Sequence, residues 1–310
     1  MAIAQLSSMV DLFFPRACAL CVELLGEDNR GCLCSHCRDL LVPLDDPCLK
    51  CGAPRGEGLQ LGHPEKKRKK PERACRWCRN RRWQFHRVFS FTVYVGAAIP
   101  AVRKMKEPTY EGLTRQLGDR IGDWLTGRLQ SSLEQPLIFA PEHYDAVIPI
   151  PQHWFRKMTH RYNQADVLAS RVSAAIDQPV RSHWLRRSRW TQKQGMKTVV
   201  EREFNMLGAF RAAPLKAIEG KRLLLVDDVM TSGATLHQAA SALRAAGAIH
   251  VDAVVFARGI NASRVPPRGA SAEWSRIQTT SHSPPENGLS AAENGPRTFQ
   301  SAPEIHRKIH

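Results

Sequence analysis

No part of this 310-residue sequence is apolar for long. The longest candidates, Leu223 to Val226 and Val251 to Ala257 with Asp252 inside it, fall far short of the roughly 20 residues that span a bilayer. A membrane-spanning protein is not expected. Met1 to Phe14 carries one acid, no Lys or Arg, and no apolar core ahead of a small-residue cleavage site, so it does not read as a secretory leader. The expected location is cytoplasmic and reducing. Two nucleotide signatures are also missing. Neither G-x-x-x-x-G-K-[ST] nor G-x-G-x-x-G occurs, which argues against NTPase and dinucleotide-binding classes.

Acids are scarce as well, 29 against 45 Lys+Arg, and the formal charge is +16. The excess is local. Between Cys48 and Arg87 there are 13 bases and 3 acids, and between Pro151 and Lys193 there are 9 and 2. Elsewhere the chain is close to neutral. Fields of this kind attract polyanions, whether nucleic acid or small phosphorylated ligands. The run Lys66 to Lys70 taken alone also fits a solvated basic face.

Composition divides the chain into residues 1–85, which hold every cysteine, residues 86–258, which alternate strand-like and helix-like patterns, and residues 259–310. The last segment is rich in Ser, Pro, Gly, Ala and Asn, has no period, and is expected to be a disordered tail. In the middle segment Phe85 to Tyr94 reads as a strand, and Leu113, Leu117, Ile121, Trp124, Leu125 and Leu129 mark the core face of a helix. Asp145 to Ile150 reads as a short buried strand, and Ala165, Leu168, Val172 and Ile176 mark a second helix. Arg222 to Val226, Ala234 to Ala246 and Ile249 to Ala257 then read as strand, helix and strand. That order predicts an α/β fold with a largely parallel sheet and right-handed crossovers.

Eight of the nine cysteines form four C-x-x-C pairs, Cys18/Cys21, Cys34/Cys37, Cys48/Cys51 and Cys75/Cys78, and Cys32 is left over. A C-x-x-C turn presents two sulfurs to one ion, and two such knuckles complete a tetrahedral four-thiolate site. Neighbouring pairing gives one structural Zn²⁺ site from the first four cysteines and another from the second four, although the spacing leaves crossed pairings open. Such closed sites have no open position for catalysis. A disulfide framework does not suit a reducing compartment. Arg73, Arg76, Arg79, Arg81 and Arg82, interleaved with Trp77 and Trp83, have the base-plus-aromatic character of a single-strand platform, and a scaffold role is the competing reading.

The densest motif is Leu223-Leu224-Leu225-Val226-Asp227-Asp228-Val229-Met230-Thr231-Ser232-Gly233-Ala234-Thr235. Four apolar residues make a buried strand and place Asp227 and Asp228 at its carboxyl end, where open α/β sheets bind ligands. Adjacent carboxylates there can accept from vicinal hydroxyls. Thr231 to Thr235 supplies successive N–H groups, hydroxyls and a glycine at a helix start, an anion nest suited to a phosphomonoester.

This segment resembles the phosphoribosyl pyrophosphate signature of type I phosphoribosyltransferases, and the chain resembles the ComF family, which joins an N-terminal zinc ribbon domain to such a domain. Other ComF-like features are Asp11 to Pro15, Val147 to Pro151, Arg161-Tyr162-Asn163-Gln164-Ala165, and Thr191, Gln194, Arg202, Asn205 and Ala209-Phe210 in order. The resemblance implies that Asp227 and Asp228 hold the ribose hydroxyls, that Thr231, Ser232, Gly233, Ala234 and Thr235 hold the 5-phosphate, and that Mg²⁺ accompanies phosphoribosyl pyrophosphate. Lys157 and Arg161 are candidate pyrophosphate clamps, and Asn163 and Gln164 stand at a helix start beside them. It also implies a role in DNA uptake alongside uptake-machinery proteins, with single-stranded DNA as a partner. The competing function is a conventional phosphoribosyltransferase of nucleotide salvage or synthesis whose ribbon is purely structural. A nucleic-acid-binding adaptor with a degenerate transferase fold fits less well, because the signature is intact.

Overall fold

A computed structural model describes residues 16–26, 29–55, 75, 77–131, 144–152, 162–188 and 208–260. The expected tail from residue 261 onward, the basic run Lys66 to Lys70, Arg73, Arg76, and Lys157 and Arg161 lie outside the described residues.

The apolar runs of the middle segment become a four-stranded parallel sheet. Its strands are β1 (Val88–Val93), β2 (Ala146–Pro149), β5 (Arg222–Met230) and β6 (His250–Arg258), in the spatial order β1-β6-β5-β2. Every residue of β1, β2 and β6 is buried, as expected for a parallel sheet covered on both faces. A second, antiparallel sheet pairs β3 (Leu185–Arg187) with β4 (Phe210–Ala212). The sequence patterns give no hint of it, since three-residue strands are too short to show a period of two.

Helix α1 (Ser35–Asp39) lies in the cysteine-rich part, and α2 (Ala98–Met105) follows β1. Next come α3 (Glu111–Ser131) and α4 (Gln164–Ile176), which pack along each other. The stripe expected on α3 is its core face: Leu113, Leu117, Ile121, Leu125 and Leu129 are each at most 1% exposed, and Trp124 meets Phe91 edge-on with centroids 5.7 Å apart. Truncating one such leucine to alanine costs about 2–5 kcal/mol. The short α5 (Leu215–Ile218) precedes β5, and α6 (Ala234–Ala245) buries Leu236, Ala239, Ala240 and Leu243 against the sheet.

The cysteine-rich part is packed onto this body. Leu44, Cys48, Cys51, Ala53 and Cys78 share one buried cluster with Val88, Leu225 and Val255. Backbone bonds join them, Leu44 N–H to Phe91 C=O at 2.7 Å and Val88 N–H to Leu49 C=O at 3.2 Å. Helix α3 adds Arg120, which donates to the carbonyls of Arg38 and Leu41 at 3.1 Å each, and Gln116, whose Oε1 accepts from Cys32 N–H at 2.7 Å.

Strand β5 runs further than its apolar core suggests. Strand β2 ends in register with Val226, with Ile150 N–H donating to Val226 C=O at 2.9 Å as its last bond to β5, whereas β6 pairs with β5 as far as Met230. Asp227 and Asp228 therefore lie inside a strand that has lost its neighbour on one side.

Candidate functional site

The four C-x-x-C pairs close into two clusters by neighbouring pairing, Cys18, Cys21, Cys34 and Cys37 in one and Cys48, Cys51, Cys75 and Cys78 in the other. A tetrahedral zinc site with bonds of about 2.3 Å sets its sulfurs about 3.8 Å apart. The observed separations are 3.6 Å for Cys21–Cys34, 3.5 Å for Cys51–Cys75, and 3.8 Å for both Cys48–Cys78 and Cys75–Cys78. N–H groups of the knuckles point at the sulfurs, Cys37 N–H at Cys34 Sγ and Cys75 N–H at Cys78 Sγ. Sulfurs this close cannot all ionise unaided: hydrogen bonds from Cys51 and Cys75 pull Cys48 down, while sharing with Cys48 pushes Cys51 up. A divalent cation resolves that conflict, and both clusters fit structural zinc.

At the carboxyl end of β5 several elements converge. Strand alternation sends Asp227 and Asp228 to opposite faces, yet Asp227 curls back so that its Oδ1 accepts from Asp228 N–H at 2.9 Å. Asp228 is 7% exposed; its Oδ2 accepts from Gln164 Nε2 at 3.0 Å and its Oδ1 from Val229 N–H at 2.7 Å. Lys106 Nζ, at the end of α2, stands 3.5 Å from the same Oδ2. In sequence this lysine has nothing to set it apart from a surface lysine; its place beside Asp228 depends on the docking of α2. Burial, and then the charge of Asp228, push the Asp227 carboxyl well above the usual carboxylate range.

Gln164 and Asn163 serve this site from the start of α4. Asn163 caps the helix, its Oδ1 accepting from Ala165 N–H at 3.3 Å, and its Nδ2 donates to Ile150 C=O at 3.4 Å. That bond ties the helix start to the end of β2. Gln164 Oε1 accepts in turn from Gln152 Nε2 at 2.9 Å, so its amide is held with the nitrogen toward Asp228.

Thr231 to Gly233 form the turn into α6. Gly233 has φ +83°, left-handed backbone that suits glycine, and a Cβ there would lie 2.7 Å from Met230 Cε and 3.1 Å from the Trp83 ring. Ser232 Oγ accepts from Ala234 N–H at 3.3 Å. Among the described residues the N–H groups of Thr231, Ser232 and Gly233 meet no protein acceptor. The turn thus presents unused donors at the N-terminus of a 12-residue helix, where the dipole favours an anion. Trp83 stacks on Phe85 with centroids 5.0 Å apart, and both Trp83 and Trp77 pack against the core. The indole of Trp83 thus helps wall the turn.

A third group, His86, His250 and Asp252, lies at the amino ends of the strands, away from Asp227. Its geometry is that of a polar network. The two imidazoles stack face to face at 4.0 Å and 11°, which keeps their in-plane lone pairs from converging on one ion. Arg244 Nη1 lies 3.4 Å from His86 Nε2 and repels a cation, while Asp252 receives the Tyr144 hydroxyl at 2.7 Å and pairs with His250 Nε2 at 2.9 Å.

Comparison with known proteins bears on this layout. The phosphoribosyl transferase domain profile matches residues 165–282. Competence protein F of Haemophilus influenzae is 34% identical over 115 residues, 37% of this chain and 50% of that protein, so the match spans half of its length. The DNA utilization protein YhgH of Salmonella typhi is 25% identical over 242 residues, 77% of this chain and 96% of that one. Among solved structures, the glutamine phosphoribosylpyrophosphate amidotransferase from B. subtilis covers 50% of this chain and 30% of its own at 18% identity and a TM-score of 0.32. With two four-cysteine clusters set ahead of a phosphoribosyltransferase-like sheet, the chain resembles the ComF family.

Proposed function

We propose that the carboxyl end of β5 binds a phosphoribosyl group, with phosphoribosyl pyrophosphate and Mg²⁺ as the ligand, and that the protein acts in the handling of incoming single-stranded DNA. The observation that carries the first part is the junction of two unlike features on one strand end. A carboxylate pair whose second member, Asp228, is buried with Gln164 and Lys106 beside it is followed within three residues by a turn whose N–H groups meet no acceptor among the described residues.

Each part of the ligand has a counterpart. Asp227 and Asp228 accept from the ribose hydroxyls. Thr231, Ser232, Gly233, Ala234 and Thr235 surround the 5-phosphate with N–H and hydroxyl donors. Lys157 and Arg161, outside the described residues, follow β2 in sequence and supply positive charge for the pyrophosphate. Mg²⁺ would neutralise the leaving group, and the carboxyl oxygens of Asp227 and Asp228 are ligands of the kind it takes. If transfer takes place, the bond from the anomeric carbon to the pyrophosphate oxygen breaks, and the acceptor forms the new bond at that carbon.

The DNA-uptake role rests on the relatives named for competence and DNA utilization. On this reading the protein works in the cytoplasm with uptake-machinery proteins, and the arginine-rich stretch around the second cysteine cluster has a nucleic-acid strand to hold. A conventional salvage or synthesis transferase is the competing function, and pyrophosphate release across a panel of bases, nucleotides and DNA ends separates the two.

The direct test is calorimetry with phosphoribosyl pyrophosphate and Mg²⁺. The wild-type protein should bind, and the double variant Asp227→Asn, Asp228→Asn should not. Equal binding by both removes the site assignment.

A further inference from the structure

Arg258, the last residue of β6, is 4% exposed, and among the described residues no carboxylate pairs with it. A lone buried guanidinium is costly unless its donors and charge are answered. Here they are answered from two directions. Its Nε donates to the carbonyl of Cys51, in the second thiolate cluster, at 2.9 Å. Its Nη1 donates to the carbonyls of Met230 at 2.9 Å and Thr231 at 2.6 Å, and also reaches Gly259 C=O. The Cys51 carbonyl that Nε meets belongs to the second four-thiolate cluster, so the guanidinium lies beside a site that carries net negative charge when it holds zinc.

The consequence lies in the peptide planes. In a trans peptide the N–H points opposite to the C=O. The carbonyls of Met230 and Thr231 belong to the same peptide units as the N–H groups of Thr231 and Ser232. The Met230 carbonyl, which also accepts from Gly259 N–H at 2.8 Å, and the Thr231 carbonyl both face one buried guanidinium, so both N–H groups point the other way, and among the described residues these donors meet no protein acceptor.

We propose that Arg258 is a positioning residue for the anion-binding turn, and that the second four-cysteine cluster, by holding Arg258, is a built-in part of the phosphate site. This rests on the reading of Thr231 to Thr235 as the 5-phosphate site. The cluster then does more than staple a ribbon. It sets the direction of two donors about the width of one side chain away, without touching the ligand.

The test compares two ligands and two variants in the full chain. Ribose 5-phosphate reports on the turn, and Mg²⁺-pyrophosphate reports on the remainder of the site. Arg258→Gln is expected to weaken ribose 5-phosphate binding about tenfold, the scale of one lost charge-assisted hydrogen bond, with pyrophosphate affinity kept. Arg258→Lys, which keeps the charge and one direction of donation, should recover part of the loss, and zinc content should stay at the wild-type value in both. Failure of the wild type to bind ribose 5-phosphate at all removes the phosphoribosyl reading itself. Wild-type binding with unchanged affinity in Arg258→Gln overturns the positioning role alone. Parallel loss of both ligands in both variants assigns Arg258 to general stability and overturns it equally.

Discussion

Replacing Gly233 with alanine probes the contact between the anion-binding turn and the aromatic wall beside it. Gly233 and Gly220 both have left-handed backbone, φ +83° and +72°, but only Gly233 is crowded. At Gly220 an added Cβ meets nothing within 4 Å, so Gly220→Ala incurs only the left-handed penalty of about 1–2 kcal/mol, offset by about 0.4–1 kcal/mol from a stiffer unfolded chain. The net loss is about 0.5–1 kcal/mol. At Gly233 the Cβ would lie 2.7 Å from Met230 Cε and 3.1 Å from two atoms of the Trp83 indole. Met230 is 2% exposed, so its terminal methyl has little room to retreat, and overpacking adds about 1–3 kcal/mol. Gly233→Ala should therefore be less stable than Gly220→Ala by about 1–3 kcal/mol in urea unfolding. Pairing Gly233→Ala with Trp83→Ala should return about 1 kcal/mol as a favourable coupling in a double-mutant cycle. If the two glycine variants unfold within about 0.5 kcal/mol of each other, with no coupling to Trp83, the packing of Trp83 on the turn is refuted.

Two further outcomes follow from the clusters. The purified chain should carry two zinc ions by elemental mass spectrometry, and Cys75→Ser should leave one, because the clusters use separate cysteine quartets. An unchanged zinc content in that variant contradicts the pairing. Burial and then the neighbouring His250 depress the His86 pKa below its usual 6.5, so the folded state binds fewer protons here than the unfolded state as pH falls through that value. Its contribution is complete above 6.5 and is lost as pH drops through the lower folded-state pKa. The wild-type melting temperature should accordingly fall more steeply between about pH 6.5 and 5 than that of His86→Asn, and parallel profiles would sink the argument.

The parts of this protein that are legible in one dimension are those whose chemistry is local. A C-x-x-C knuckle is a four-residue turn, whereas which knuckles share a site is left open by the spacing and is decided by the fold. The β5 motif is legible for the same reason: strand, carboxylates, turn and helix start occupy one continuous segment. The pair β3 and β4 is not legible, because three residues apiece leave no period and their partnership spans a long separation. Nor is the extension of β5 to Met230, which comes from β6 remaining in register after β2 has stopped at Pro149.

What the sequence determined alone was the identity of the clustered thiols and of the groups proposed for the anion site, because residue type and close spacing are enough to specify a thiolate knuckle or a candidate nest of N–H donors. Tertiary structure decided which distant groups serve them. Lys106 reaches Asp228 because α2 docks over the sheet end, Gln164 because Asn163 ties α4 to β2, and Trp83 because the segment leaving the second cluster runs past Gly233. Arg258 joins the cysteine cluster to the turn because β6 lies in register with Met230 between them. Each of these contacts is fixed by strand register or helix docking over tens of residues, and neither quantity is written in any local pattern.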